Sequence, residues 1–183
     1  MPGLKFRVLL DSDKNEEIFR DILIADSDNF ESFYQAIIKA FKFKGDQMAS
    51  FYVSNDQWDK GHEISLMDMS YDDDSIDSPS AVMKSAIIKD FLEEPDQKFI
   101  LVYDFMRMWI FLIELIGFDR NDPSTPELLF SVGHPPIEES REEIDEQLFL
   151  GEEIDEEDDE LGFNDFDDDY SDDDLNDYNE FEY

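Results

Sequence analysis

Twenty-four of the last 46 residues are acidic and only one, Arg141, is basic, which confines any folded core to the part of the chain before about residue 138. After Gly151 the apolar residues of this stretch stand singly among carboxylates: Ile154, Leu161, Phe163, Phe166, Tyr170, Leu175, Tyr178, Phe181 and Tyr183. Fixing one residue's backbone costs about 1–2 kcal/mol, and isolated apolar groups between like charges do not offset that cost. The sequence therefore predicts an acidic, largely disordered tail over 138–183 and one small domain over 1–137.

The acid excess extends beyond the tail. The whole chain has 50 Asp and Glu against 14 Lys and Arg, a net charge of −36, and residues 1–137 hold 26 acids and 13 bases of that total. A surface of this sign repels phosphate backbones over a Debye length of about 8–10 Å, which argues against direct nucleic-acid binding and makes a basic protein the expected electrostatic partner. The chain has no cysteine, which excludes disulfides and thiolate metal sites and fits a reducing cytoplasm. Its first residues, Met1-Pro2-Gly3-Leu4-Lys5, lack the apolar run of a secretion signal. The longest unbroken apolar run in the strongest apolar stretch, Met108 to Ile113, falls far short of the roughly 20 residues needed to cross a bilayer.

Within the domain, side-chain periodicity gives the elements. Phe6, Val8 and Leu10 share one face of an extended segment that ends in the turn-forming cluster Asp11-Ser12-Asp13-Lys14-Asn15. Ile18, Ile22 and Ile24 alternate with Phe19 and Leu23, as expected for a strand covered on both sides, and the two segments read as a hairpin. Phe30, Phe33, Tyr34, Ile37, Ile38 and Phe41 form one stripe of a 3.6-residue helix, with Asp28 and Glu31 as its N-terminal signal and Gly45 beyond its end. Strands are predicted at 49–53, around 64–67, at 99–103 and at 109–116, with a second, shorter helix over 80–92. Hairpins flanking a helix argue for an α+β domain: an antiparallel or mixed sheet with helices on one face, a β-grasp-like roll.

Three segments carry a family resemblance. They are Ile18-Phe19-Arg20, the helix through Ala40-Phe41, and Lys98-Phe99-Ile100-Leu101-Val102-Tyr103-Asp104-Phe105 followed by Trp109 and Glu114. Over roughly residues 4–137 the chain resembles the plasmid pRiA ORF-three-like family, whose members occur on plasmids and as passenger proteins of insertion elements. Gly133 and Pro135-Pro136 before Glu138 are similar to that family's Gly and Pro-Pro-Glu segment. The family's Tyr-Asp-Phe-Gly-Asp-x-Trp signature is Tyr103-Asp104-Phe105-Met106-Arg107-Met108-Trp109 here. Loss of the glycine implies a different or longer turn, and Arg107 puts a cation where the signature has a carboxylate.

Catalytic and metal patterns fail on spacing. Asp11, Asp13 and Asn15 open like a calcium loop, but Glu16 and Ile22 stand where a glycine and a bidentate glutamate are required. Asp72, Asp73, Asp74 and Asp77 read as a solvated acidic loop. His62 and His134, the only histidines, have no thiolate or activated serine in register, so no cofactor or metal is expected. Two readings remain. In the first, a non-enzymatic binding or regulatory protein uses its acidic tail to engage a basic partner or to mask a nucleic-acid-binding surface; the tail is also long enough to dock on the domain's own basic patch, Lys39, Lys42 and Lys44. In the second, an α+β domain binds a small ligand, or is an enzyme, with a pocket formed by Tyr52, Tyr103, Asp104, Arg107 and Trp109.

Overall fold

A computed structural model describes residues 2–68 and 81–143. The Asp72-Asp73-Asp74 loop with Asp77, and the acidic segment from Ile144 onward, lie outside the described residues. Eight strands form one mixed sheet in the order β5-β4-β3-β6-β7-β1-β2-β8. In chain order they are β1 (Gly3–Leu10), β2 (Phe19–Ala25), β3 (Ala49–Ser54), β4 (Glu63–Ser65), β5 (Ala81–Val82), β6 (Lys98–Tyr103), β7 (Trp109–Asp119) and β8 (Glu127–Val132). The pair β4–β5 is parallel and the other pairs are antiparallel. A single α-helix, α1 (Phe30–Ala40), and short 3-10 turns at Ile88–Phe91 and Glu138–Ser140 complete the described elements. No helix among the described residues is long and apolar enough to cross a membrane.

The period-two pattern decides which face of the sheet receives the helix. Leu4, Phe6, Val8 and Leu10 alternate with Lys5, Arg7 and Leu9, and the first set is buried. Phe33 packs on Phe6 with ring centroids 4.8 Å apart, Phe30 meets Phe51 at 5.0 Å and Phe99 at 5.3 Å, and Phe41 meets Phe111 at 4.9 Å. These tilted and edge-on ring pairs each add about 0.5–1.5 kcal/mol beyond the area they bury. Strand β2 is buried along its whole length. On the face away from α1, Arg7 bonds Asp21 through Nε at 2.9 Å and Nη2 at 3.0 Å and lies 4.3 Å over the Phe19 ring.

Three local expectations are corrected. Asn29, not Asp28, caps α1: its side chain accepts from the Ser32 N–H, and Asp28 instead accepts from the Asn29 N–H. The second helix does not form. Its described part is β5 followed by an irregular stretch and a 3-10 turn, because its backbone is committed elsewhere: Phe30 and Glu31 of the first helical turn donate to the carbonyls of Ala86 and Met83, and the Ile88 N–H donates to Asp28. Those bonds satisfy orphan amides at the start of α1, so tertiary pairing prevails over local helix propensity. The layer on the sheet therefore holds one helix instead of several. Strand β8, which the sequence did not predict as a strand, is the third difference. It pairs with β2 from Phe19↔Val132 to Leu23↔Glu127, with a register shift between Asp21 and Ile22.

Arg20 fastens that edge. It is 4% exposed and projects from β2 toward α1, where Nε donates to the Ala40 carbonyl, Nη1 to those of Phe19 and Val132, and Nη2 to that of Gly133. One guanidinium thus ties β2, the end of α1 and the end of β8. Gly133 follows at φ +77°, and a Cβ there would stand 2.7 Å from the Glu17 carbonyl oxygen, so only glycine lets the chain leave β8 across the start of β2.

Candidate functional site

The β6–β7 turn brings together most of the residues that the sequence singles out. Tyr103 ends β6 and Trp109 opens β7, facing each other across the ladder and pointing to the α1 side of the sheet. Between them Asp104 (φ 56°) and Met108 (φ 56°) take the left-handed conformation, and the Met108 N–H closes the turn on the Asp104 carbonyl at 2.6 Å. Met106, which replaces the glycine of the resembling signature, does not have positive φ. Asp104, 2% exposed, rigidifies the turn through Oδ1, which accepts from the Met106 and Arg107 N–H groups at 3.1 and 3.2 Å. Its Oδ2 receives Arg107 Nη1 at 3.1 Å.

The chain after β8 then returns over this sheet end. Glu138 is 7% exposed and lies between Tyr103, which donates its hydroxyl to Oε1 at 2.6 Å, and Lys44, whose backbone N–H donates to Oε2 at 2.9 Å. The Trp109 indole N–H donates to the Glu138 carbonyl at 3.2 Å. The two segments that carry the sequence resemblance, Tyr103 to Trp109 and Gly133 to Glu138, therefore meet in space. Further along, Arg107 Nε donates to the Arg141 carbonyl at 3.1 Å and Nη2 pairs with Glu143 at 3.1 Å. The Arg141 guanidinium lies 4.5 Å over the Trp109 ring, donates to the Met108 carbonyl and pairs with Asp13 at 3.6 Å. Lys44 pairs through its ammonium with Glu139.

These contacts set the local acidities. Burial pushes the Tyr103 phenol well above its ordinary value, the hydrogen bond and charge of Glu138 push the same way, and the Gly45 N–H opposes them. Tyr34, beside it, is pushed up to about 12, first by burial and then by the charges of Glu138 and Asp46; its hydroxyl is buried and has no hydrogen-bond partner among the described residues. The exposed pair shifts in the complementary sense: the Lys44–Glu139 bond raises the lysine and lowers the glutamate. The Asp104 hydrogen bond raises Arg107.

The remaining candidate residues lie apart. Tyr52 pairs with Ile100, whereas Tyr103 pairs with Ala49, so the two tyrosines point to opposite faces of the sheet. Tyr52 makes a 3.5 Å contact with Glu63 and carries Lys60 at 5.1 Å over its ring. Of the three-lysine patch, Lys44 gives its backbone N–H to Glu138 and lines a hollow with Lys39, while Lys39 and Lys42 together flank a groove beside β8. Lys5 and Arg7 are occupied by Asp119 and Asp21. His62 stacks on Phe91 at 6.0 Å, and His134 lines a hollow of about 410 Å³ with Trp109, Lys14 and Arg141. Sequence reasoning missed Glu138 and Arg141 as partners of the turn because they belong by composition to the acidic segment; the Pro135-Pro136 to Glu138 likeness was the available signal.

Chemically, the sheet end gathers hydrogen-bond donors on a carboxylate supplied by the same chain. Among the described residues no group of three His, Asp or Glu side chains comes together to hold a metal. The family model described as plasmid pRiA4b ORF-3-like protein matches residues 2–177. A crystal structure titled as a protein of unknown function from Methanosarcina mazei Go1 superimposes with a TM-score of 0.63 at 17% identity, covering 84% of this chain and 91% of that one, which shows a shared fold. No curated protein matches the chain.

Proposed function

The chain belongs to the plasmid pRiA4b ORF-3-like family, and on that premise we propose that it is a non-catalytic binding protein whose acidic segment, residues 144–183, engages a basic protein surface. The observation that carries this reading is the composition of that segment: 20 acids, no lysine or arginine, and aromatics spaced one at a time. Carboxylates supply long-range attraction and single rings supply anchors on a partly apolar partner, an arrangement that competes with a polyanion for a nucleic-acid-binding face. A cytoplasmic setting accords with the absence of cysteine. We read sheet and helix together as a β-grasp-like α+β roll, the hairpin before α1 and the paired strands after it being what supports that description. Against the enzyme reading, the Tyr103 hydroxyl and the Trp109 indole N–H are both taken up by Glu138 of the same chain instead of standing free for a ligand.

The test compares the full chain with a form ending at Glu143, which retains the compact unit Met1–Glu143. Both are immobilised and exposed to host lysate at about 50 mM and about 500 mM salt, where the Debye length falls several-fold. Basic proteins should be retained by the full chain alone and released at the higher salt. Equal retention by the shortened form, or retention indifferent to salt, overturns the proposal.

A further inference from the structure

Strand β8 presents an apolar edge that the described fold leaves open. It is the last strand of the sheet, no described strand pairs with its outer side, and Leu128, Leu129 and Phe130 are 53%, 45% and 55% exposed. Exposed edges of this kind are templates for an added strand, and proteins usually blunt them with charge or cover. Here the edge continues into a groove. Leu128 stands opposite Ile22 and forms one wall of a hollow of about 250 Å³ whose other wall is α1, with Ala36, Ala40 and Lys39; Pro126 lies at its end. Lys42, held just past the helix at φ 58°, brings a second ammonium to the same groove.

Charge decides between occupants. Lys39 and Lys42 form no ion pair among the described residues, although the chain carries 50 acids. A second copy of the chain meeting this edge would bring another −36 charge with it, which opposes self-pairing. A basic peptide would place like charges against both lysines. We propose that the β8 edge and the α1–β8 groove form a docking site for an extended, acidic peptide segment of a partner protein. The peptide adds as a strand to β8, seats an apolar side chain beside Leu128 and Ala36, and turns carboxylates toward Lys39 and Lys42. Glu127 also lines the groove, so one peptide position near the start of β8 favours an uncharged or basic residue. The site is independent of the acidic segment's own reading, since it uses cations and apolar groups of the folded unit alone.

The full chain is titrated into a short fluorescent peptide alternating Asp with Leu, and into a counterpart alternating Lys with Leu, with binding followed by anisotropy. The acidic peptide should bind, more weakly as salt rises. Reversing both lysines (Lys39→Glu with Lys42→Glu) should weaken it about tenfold or more, since each reversal turns attraction into repulsion. Leu128→Ser should weaken it without changing its salt dependence, and Lys14→Glu, a charge reversal outside the groove, should leave it within about twofold. Circular dichroism confirms that each variant is folded. Absence of binding by the native chain, tighter binding of the lysine peptide, or equal loss from Lys14→Glu overturns the assignment.

Discussion

Replacing Glu138 with alanine is the most direct test of the cluster at the sheet end. Its carboxylate is 7% exposed and accepts two bonds, from the Tyr103 hydroxyl at 2.6 Å and from the Lys44 N–H at 2.9 Å. A hydrogen bond to a charged group is worth about 1.5–3 kcal/mol net, and a buried donor left without an acceptor costs about 1–3 kcal/mol. Losing both bonds therefore removes about 3–4 kcal/mol once some water reaches the vacated space, which for a chain of this size lowers Tm by roughly 6–16 °C at about 2–4 °C per kcal/mol. Glu138→Gln retains one acceptor and should cost about half as much. Urea denaturation of the full chain, read by far-ultraviolet circular dichroism and tryptophan emission, measures both; the midpoint should move with the slope unchanged. Tyr103→Phe combined with Glu138→Ala should then show a coupling of about 1–2 kcal/mol, because the two side chains share one bond. A chain stopped after Ile137, which also loses the Glu138 carbonyl and the Arg141 contacts, should lose more than Glu138→Ala, and one stopped after Glu143 should not. If Glu138→Ala stays within about 0.5 kcal/mol of the native chain, or the glutamine variant falls as far as the alanine one, the carboxylate is not the acceptor that closes this end of the sheet.

Two other perturbations follow from buried polar groups. Arg20→Lys cannot reproduce a fork that reaches the carbonyls of Phe19, Ala40, Val132 and Gly133; it should destabilise by about 2–4 kcal/mol and speed hydrogen exchange at the β8 amides, and unchanged β8 protection would show that the edge is held by other means. Tyr34→Phe removes a buried hydroxyl that has no partner among the described residues, so stability below pH 9 should be unchanged or rise by up to about 1 kcal/mol, and a loss above that size would reveal a partner. The same group gives a signed pH effect. With the folded phenol pushed up to about 12, the unfolded chain ionises first, so the native chain should lose stability relative to Tyr34→Phe as pH rises above about 10 and up to that value.

The strands and α1 were legible wherever one face of an element is buried and the other is not. Phe6, Val8 and Leu10 gave β1 its face, and the stripe from Phe30 to Phe41 gave α1 its orientation, because burial imposes a period on the sequence. Strand β8 escaped because Glu127 to Ser131 are all exposed and impose no period; only Pro126 and Gly133 bracket it. The segment around Met83 to Ile88 looked helical because its apolar spacing permits a helix, while the carbonyls that cap α1 demand otherwise, and no local rule reports a partner some 55 residues away. At the sheet end, Tyr103, Asp104, Arg107 and Trp109 were singled out because their segment resembles the family signature, and the structure brings the four together in one turn. Glu138 was hidden by its own surroundings: one glutamate with buried partners looks, in composition, like the 23 acids that follow it in the chain.

That local difference also bears on what the acidic segment can meet. Acids at 138–143 find cations: Lys44 for Glu139 and Arg107 for Glu143, while Glu138 takes neutral donors from Tyr103 and the Lys44 backbone. All 14 lysines and arginines of the chain lie before residue 142, and the next 40 residues after Glu143 contain 20 acids and none of either. Six of those cations are already paired with carboxylates, and Arg20 is buried among carbonyls. The cations left over are too few to neutralise 20 carboxylates. Most of the charge from 144 onward therefore has to be met by mobile counterions or by a separate basic surface. Release of those counterions is what would make binding to such a surface fall steeply with salt, the dependence by which the proposed partner is to be recognised.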